Sequence, residues 1–164
     1  MRARKLKHRD ERLLACDNII TDEFSSDPPK LTLTELFPDY SRFRLEIGCG
    51  KGGFVRGEAK NHPDTAYIAV ELITDVIVQA AERTPENEYK NVVFLNTNAS
   101  RLDKIFPAGS FERIHINFCD PWPKKRNAKR RLTCRTFLSL FKSLLAEGGC
   151  IAFKTDNADL FEYS

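Results

Sequence analysis

Apolar residues occur in short runs separated by longer stretches of mixed polarity. Five runs have the length and the β-branched or aromatic content of buried strands, at residues 43–47, 66–71, 92–95, 114–118 and 150–155. Between these runs, apolar residues recur at helical spacing. This spacing predicts helices over residues 31–37, from the glycines after residue 47 to about 60, over 74–83, and over 130–147. Gly148-Gly149 should end the last of these.

The two ends of the chain differ in pattern. Residues 1–23 show little periodicity, so no element is predicted there, and residues 25–29 are typical of a linker or turn. Asp156-Asn157 offers an N-cap for a final helix. We therefore expect a basic segment and linker at residues 1–30 and one domain at residues 31–164.

Strands that alternate with helices predict an α/β fold, a doubly wound and mostly parallel sheet. Ligands of such sheets lie beyond the carboxyl ends of the strands. Polar groups follow four of the predicted strands, namely Glu46 with a glycine loop, Glu71, Asn98 with Ala99, and Asp120. They should converge on one crevice.

Charge is concentrated in two segments. Residues 1–12 carry six Lys/Arg against two acids, and residues 121–135 carry seven against none, while the whole chain has a net charge of +3. Two cationic segments on an acidic body predict a polyanion-binding face. The alternative is that each run is a solvated helix face or tail.

Other features set limits on the class of protein. No apolar run approaches the ~20 residues of a membrane span, and no secretory signal precedes the domain, so we expect a cytoplasmic protein. The five cysteines include no C-x-x-C pair, which predicts reduced thiols and no metal site. A monomer or a homodimer is expected.

Gly48, Gly50 and Gly53 have the G-x-G-x-x-G spacing of a nucleotide-binding turn, and Glu71 lies 18 residues beyond Gly53. Glu46 stands two residues before the first glycine, where its charge would oppose an anionic pyrophosphate. A carboxylate at this point instead suits the sulfonium and ammonium cations of S-adenosyl-L-methionine. Glu71 could then bind the ribose hydroxyls.

Two interpretations of the residues after the third predicted strand stay open. Asn98 and the Ala99 backbone could reach the adenine, but Asn98 could equally be a turn-forming residue.

Asp120-Pro121-Trp122-Pro123 combines an acid and an aromatic ring between two prolines. Proline restricts the residue before it to extended geometry, so Asp120 and Trp122 should be held rigidly at the crevice. Trp122 could stack on a base, and Asp120 could accept hydrogen bonds from a purine edge. The alternative is a core tryptophan beside a turn acid.

These residues resemble the bacterial tRNA (guanine-N7-)-methyltransferases. The resemblance covers nearly the whole chain, and its motifs are MRAR at residues 1–4, EIGCGKG at 46–52, YIAVE at 67–71, NTNA at 96–99, NFCDPWPKKR at 117–126 and FKTDN at 153–157. The motif around residue 120 is the most specific of them.

The resemblance implies a Rossmann-like class I fold and methylation of guanine N7 in the tRNA variable loop, with S-adenosyl-L-methionine as cofactor and tRNA as partner. Asp120 would be the catalytic residue. The other implied contacts are Glu46, Gly48, Gly50, Glu71, Asn98, Ala99 and Asp120 to the cofactor, Lys124, Asp156 and Trp122 to the substrate, and Arg126, Lys129, Arg130 and Arg131 to RNA.

The chain departs from the family pattern in two places. Asn98 stands where the family usually has Asp, and the two further strands and T-x-x-E segment of the family do not follow residue 164. The resemblance thus predicts a truncated chain with an unpaired sheet edge.

Two other functions stay open. The first is an exocyclic-amino nucleic-acid methyltransferase, since Asp-Pro-Trp-Pro resembles the motif of those enzymes. The second is a non-catalytic RNA-binding remnant of the fold.

Overall fold

A computed structural model of the chain describes residues 5–22 and 26–164. Its centre is a six-stranded sheet of order β1-β4-β3-β2-β5-β6 in which every neighbouring pair is parallel. The strands are β1 Ile19–Thr21, β2 Arg42–Ile47, β3 Thr65–Glu71, β4 Val92–Asn96, β5 Phe111–Asn117 and β6 Leu145–Lys154. The helices are α1 Arg9–Leu14, α2 Leu33–Leu36, α3 Gly53–Asn61, α4 Thr74–Glu82, α5 Leu102–Ile105, α6 Arg135–Leu144 and α7 Ala158–Tyr163, with 3-10 turns at Ala99–Arg101 and Lys125–Arg130.

The sheet buries an apolar core on each face. Leu45 and Ile47 of β2 belong to the core that includes α2, α5 and α6, while Tyr67 and Ala69 of β3 pack with α3 and α4. Alternate residues of a strand point to opposite faces, so the second face also receives Glu46. The α/β fold with a parallel sheet is confirmed.

The structure places α1 and β1 before residue 31, where the sequence pattern predicts no element. β1 pairs with β4, and two backbone bonds extend the pairing, from Phe94 N to Asn18 O at 2.8 Å and from Asp22 N to Asn96 O at 3.0 Å. Since β1 has only three residues, its pattern is too short to detect. The domain boundary placed at residue 30 remains a prediction, although this strand crosses it.

The helix predicted over residues 130–147 is also wrong at both ends. α6 covers only Arg135–Leu144, and β6 begins directly after it at Leu145. Gly148 and Gly149 lie inside β6, where the pairing with β5 shifts between Phe111 and Arg113. The glycines therefore mark a strand irregularity and not the helix end.

The strand order fixes where a ligand would bind. The chain passes outward from β2 to β3 and β4, then returns to place β5 on the other side of β2. The order thus reverses between β2 and β5, and in open parallel sheets the crevice lies at this point, outside the carboxyl ends of the strands. Glu46 is the penultimate residue of β2, and Asn117 is the last residue of β5.

Candidate active site

The loop after β2 is a tight turn built from glycines. Gly48 and Gly50 have φ of +75° and +56°, a region that residues with a side chain rarely adopt. The amides of Gly48 and Cys49 both donate to the carbonyl of Val70, at 2.8 and 2.9 Å. The carboxyl end of β3 therefore holds the first half of this loop against the sheet.

Glu71 at the end of β3 holds the second half. Its Oε2 accepts a hydrogen bond from Gly50 N at 3.1 Å, and its Oε1 accepts one from Ile73 N at 3.0 Å. The side chain is half-buried. Each carboxylate oxygen has more than one acceptor position, so these two bonds orient Glu71 and leave it capacity for hydroxyl donors.

Glu46 is almost fully buried, with 2% of its surface exposed. Asn117 Nδ2 donates to its Oε1 at 3.3 Å, while within the described residues Oε2 is buried and has no hydrogen-bond partner. Burial raises the pKa of Glu46 to about 7, against hydrogen bonds that lower it. A buried carboxylate oxygen without a partner is costly, and a cation beside it would relieve that cost.

Glu46 and Glu71 lie on paired strands, with Glu46 in register with Ala69, two residues before Glu71. Burial raises the pKa of the Cys49 thiol well above the ordinary value, and the charges of Glu46 and Glu71 raise it further. Glu71 likewise contributes to the raised pKa of Glu46. The structure therefore brings these two predicted site residues to one place, beside the glycine loop.

Asn98 caps the 3-10 turn that follows β4. Its side-chain oxygen accepts a hydrogen bond from Ser100 N at 2.9 Å, and the side chain is exposed, whereas Ala99 is buried. This geometry matches the turn-forming alternative. The cofactor contacts expected of Asn98 and Ala99 stay predictions.

Asp120 lies in the loop after β5 and is exposed. It makes no hydrogen bond or ion pair with any residue in the described ranges 5–22 and 26–164. The extended geometry predicted for Trp122 is wrong, because its φ is +43°, and Phe118 at the start of the loop has φ of +50°. Non-glycine residues with positive φ store strain and cluster at functional sites.

The basic run after this loop folds as a 3-10 turn, Lys125–Arg130. Arg126, Lys129 and Arg130 are exposed, as a phosphate-binding surface requires, and Arg130 also lies over the Trp122 ring, 5.0 Å from its centroid. Arg131 differs, because only 8% of its surface is exposed. The structure therefore does not favour the predicted RNA contact of Arg131.

The remaining predicted site residues border the same end of the sheet. Lys124 precedes the 3-10 turn, Asp156 follows β6, and both are exposed. Asn157 caps α7 as predicted, accepting from Leu160 N at 2.8 Å. The motif at residues 1–4 lies outside the described residues.

No group of three or more His, Cys, Asp or Glu within residues 5–22 and 26–164 is arranged to hold a metal ion. In those same ranges, every helix is too short or too polar to cross a bilayer.

Comparison with known proteins identifies the family. A family model described as "Putative methyltransferase" matches residues 41–164. The tRNA (guanine-N(7)-)-methyltransferase of Bacillus licheniformis is 42% identical over 164 residues, which are all of this chain and 76% of that protein. The chain belongs to this methyltransferase family.

A second relative and one solved structure are also similar to this chain. The tRNA (guanine-N(7)-)-methyltransferase of Bacillus subtilis (strain 168) is 46% identical over 129 residues, 79% of this chain and 61% of that protein. The chain thus spans about three fifths of the length of the first curated relatives it matches. A solved structure titled "Structure of an antibiotic related Methyltransferase" superposes with a TM-score of 0.64 at 21% identity, over 79% of this chain and 67% of that one. The fold is therefore the Rossmann-like class I methyltransferase fold.

Sequence reasoning missed one polar residue of this family member's crevice, Asn117. It donates to Glu46 from the neighbouring strand, and its Oδ1 is buried without a partner among the described residues. The signal was present in the sequence, since His115 and Asn117 alternate with Ile114 and Ile116. Such alternation predicts one polar face of a strand, here the face that also carries Glu46.

Proposed function

We propose that this chain transfers a methyl group from S-adenosyl-L-methionine to N7 of a guanine in tRNA, in the cytoplasm. One observation carries the proposal. In a chain of this family, Glu46 and Glu71 lie at the carboxyl ends of the paired strands β2 and β3. An exposed acid follows β5 across the reversal of strand order, in the loop that leads to an exposed basic turn. This arrangement suits a small cationic donor beside a polyanionic acceptor.

The residues present fit the methyl donor. Glu46 carries a buried oxygen without a partner among the described residues and lies near Glu71, so the pocket favours a cation. A nucleotide pyrophosphate would place negative charge against both acids. In the proposed assignment, Glu46 faces the cationic end of the donor, Glu71 binds the ribose, and Gly48 and Gly50 let the backbone approach closely.

The proposed reaction requires little proton transfer by the protein. When bound, S-adenosyl-L-methionine supplies an electrophilic methyl group on a positively charged sulfur. Guanine N7 has a lone pair and no proton, so no general base has to activate it. The residues therefore act by aligning the reactants and by stabilising the positive charge that develops on the purine.

Asp120 is the proposed catalytic residue. As an acceptor-only carboxylate it can bind the N–H groups of the guanine edge and stabilise charge on the ring. Its exposure and the absence of a hydrogen-bond partner among the described residues leave both oxygens available. Trp122, Lys124 and Asp156 lie at the same end of the sheet, where stacking and polar contacts with the nucleotide are proposed.

The tRNA backbone is assigned to the basic turn. Arg126, Lys129 and Arg130 are exposed on residues 125–130, next to the loop that carries Asp120. Each phosphate neutralised by such a side chain releases counterions, so binding should weaken steeply as salt is raised. By resemblance to the family we place the target guanine in the variable loop.

The direct test is to identify the methylated atom. The chain is incubated with bulk tRNA and methyl-labelled S-adenosyl-L-methionine, and the nucleosides are separated after digestion, with Asp120→Ala as a parallel sample. We expect 7-methylguanosine, and fragment mapping should place it in the variable loop. A label on an exocyclic amine would establish the exocyclic-amino reaction instead, and tRNA binding without any transfer would establish an RNA-binding module.

A further inference from the structure

Arg131 lies in the basic run, but its side chain turns inward. Its Nε donates to the carbonyl of Pro121 at 2.9 Å, and its Nη2 donates to the carbonyl of Trp122 at 3.3 Å. The guanidinium also stacks on Tyr163, with Cζ 4.3 Å from the ring centroid. One planar group thus joins the loop after Asp120 to helix α7.

This loop needs support from outside itself. Trp122 has φ of +43° directly before a proline, and Phe118 has φ of +50°. Conformations of this kind persist only when the surrounding structure over-determines them. Prolines at 121 and 123 have no N–H to donate, and the Arg131 side chain holds this stretch through the carbonyls of residues 121 and 122.

We propose that Arg131 is a positioning residue, which fixes the backbone of residues 121 and 122 and thereby sets the place of Asp120. The inference rests on the proposed function, because the reaction that Asp120 would serve is itself proposed. It assigns Arg131 a role different from that of Arg126 and Lys129, which are exposed and suited to phosphates. Lysine could not replace it, since only the guanidinium fork donates to two carbonyls while stacking on a ring.

The first measurement reports on the loop without any substrate. Trp122 is the only tryptophan of the chain, so intrinsic fluorescence and its quenching by acrylamide observe this loop alone. We expect Arg131→Lys to shift the emission and raise the quenching constant. The matched control is Arg135→Lys, the same substitution at an exposed arginine at the start of α6, which should leave both values unchanged.

The second measurement separates positioning from RNA binding. For Arg131→Lys we expect kcat at saturating tRNA to fall at least about tenfold, because misplacement of a catalytic group by about 1 Å can cost 100-fold. In Arg131→Gln, which removes the positive charge, the slope of log K for tRNA against log salt should stay the same as in the unsubstituted chain. If Arg131 contacted a phosphate, removing its charge would instead lower that slope by about 1 and leave kcat unchanged. We expect Lys129→Ala to lower the slope by this amount.

The outcomes distinguish this inference from the proposed function. The inference is overturned if the fluorescence of Trp122 is unchanged in Arg131→Lys. It is also overturned if loss of the Arg131 charge lowers the salt slope while kcat stays the same. Both results hold whatever the activity of the chain. Altered fluorescence in a chain that never methylates tRNA leaves the loop contact standing and overturns the proposed function. Should Arg131→Lys not fold, Tyr163→Leu at a 45% exposed position removes only the stacking, and unchanged fluorescence there overturns the inference.

Discussion

The glycine loop after β2 and the acidic loop after β5 form opposite halves of the crevice, and they are built differently. In the first, the loop amides of Gly48, Cys49 and Gly50 are held by groups of β3. In the second, Asp120 is exposed, Trp122 is strained, and support comes from the side chain of Arg131. The first half is held by the sheet, whereas residues 121 and 122 of the second half are held by the side chain of Arg131.

This difference matches the two ligands of the proposed function. A small cationic cofactor requires buried acids in a fixed shape, which a sheet edge provides at low cost. A large polyanion requires exposed cations and a loop that presents an acid and an aromatic ring outward. The charges divide accordingly, with Glu46 and Glu71 in the first half and Arg126, Lys129 and Arg130 in the second.

The largest expected effect is on turnover. Replacing Asp120 by alanine should reduce methyl transfer at least ~100-fold, since one preorganised group that stabilises transition-state charge is commonly worth this much. Affinity for the cofactor, measured by calorimetry, should change far less. Turnover equal to that of the unsubstituted chain would remove Asp120 from the mechanism.

The second expected effect is on stability. The pKa of Glu46 is raised from 4.5 to about 7 by burial, so the folded chain holds more protons than the unfolded chain between these values. The contribution of Glu46 to stability is present below pH 4.5 and is lost as the pH rises through 7. Glu46→Gln should thus raise the free energy of unfolding of the ligand-free chain by up to about 3 kcal/mol at pH 8.

The pH dependence provides the control for this prediction. The gain in Glu46→Gln should shrink below about 1 kcal/mol at pH 5, where the native carboxyl is already protonated. Glu71→Gln, at a half-buried acid that accepts two backbone N–H bonds, should give no gain at either pH. A gain in Glu46→Gln that does not depend on pH would show that the buried charge is not its cause.

The third effect concerns tRNA affinity. Neutralising Arg126, Lys129 and Arg130 together should lower the slope of log K against log salt by roughly 2 to 3. Between 50 and 200 mM salt, the affinity of this variant should therefore fall roughly 16- to 64-fold less than that of the unsubstituted chain. Filter binding at several salt concentrations measures it. Substituting the exposed Lys60, Lys90 and Lys104 instead should leave the slope unchanged, and an equal change there would mean that the basic turn has no special role.

The smallest change in stability is expected at the loop after β4. Arg101 and Thr97 both bind the buried Asp22, at 2.7 and 2.8 Å to Oδ2, and hydrogen bonding from Arg101 lowers the pKa of that carboxyl. This stabilisation is present at neutral pH and is lost as the pH falls below the ordinary value for aspartate. Asp22→Asn should cost about 1.5 kcal/mol in chemical denaturation. Asp17→Asn, at an exposed site, should change stability by less than about 0.5 kcal/mol.

The two halves of the crevice also differ in how far the sequence predicted them. Strand-end positions of Glu46, Glu71 and Asp120 follow from apolar runs and parallel topology, which are local signals. The partners of Asn117 and Arg131 could not be predicted, because they depend on which strand neighbours β2 and on how α7 packs. The 3-residue strand β1 was missed for the same reason, since its partner lies more than 70 residues away.

We propose that Glu46 and Glu71, at neighbouring strand ends, surround a cationic methyl donor. The affinity of the chain for S-adenosyl-L-methionine depends directly on this arrangement. S-adenosyl-L-methionine is titrated calorimetrically into the unsubstituted chain and into the double variant Glu46→Gln, Glu71→Gln, which keeps the shape of both side chains. We expect binding to the unsubstituted chain and a loss of affinity of at least about tenfold in the variant, since hydrogen bonds to charged groups contribute about 1.5–3 kcal/mol. Equal affinity in the two proteins would contradict it.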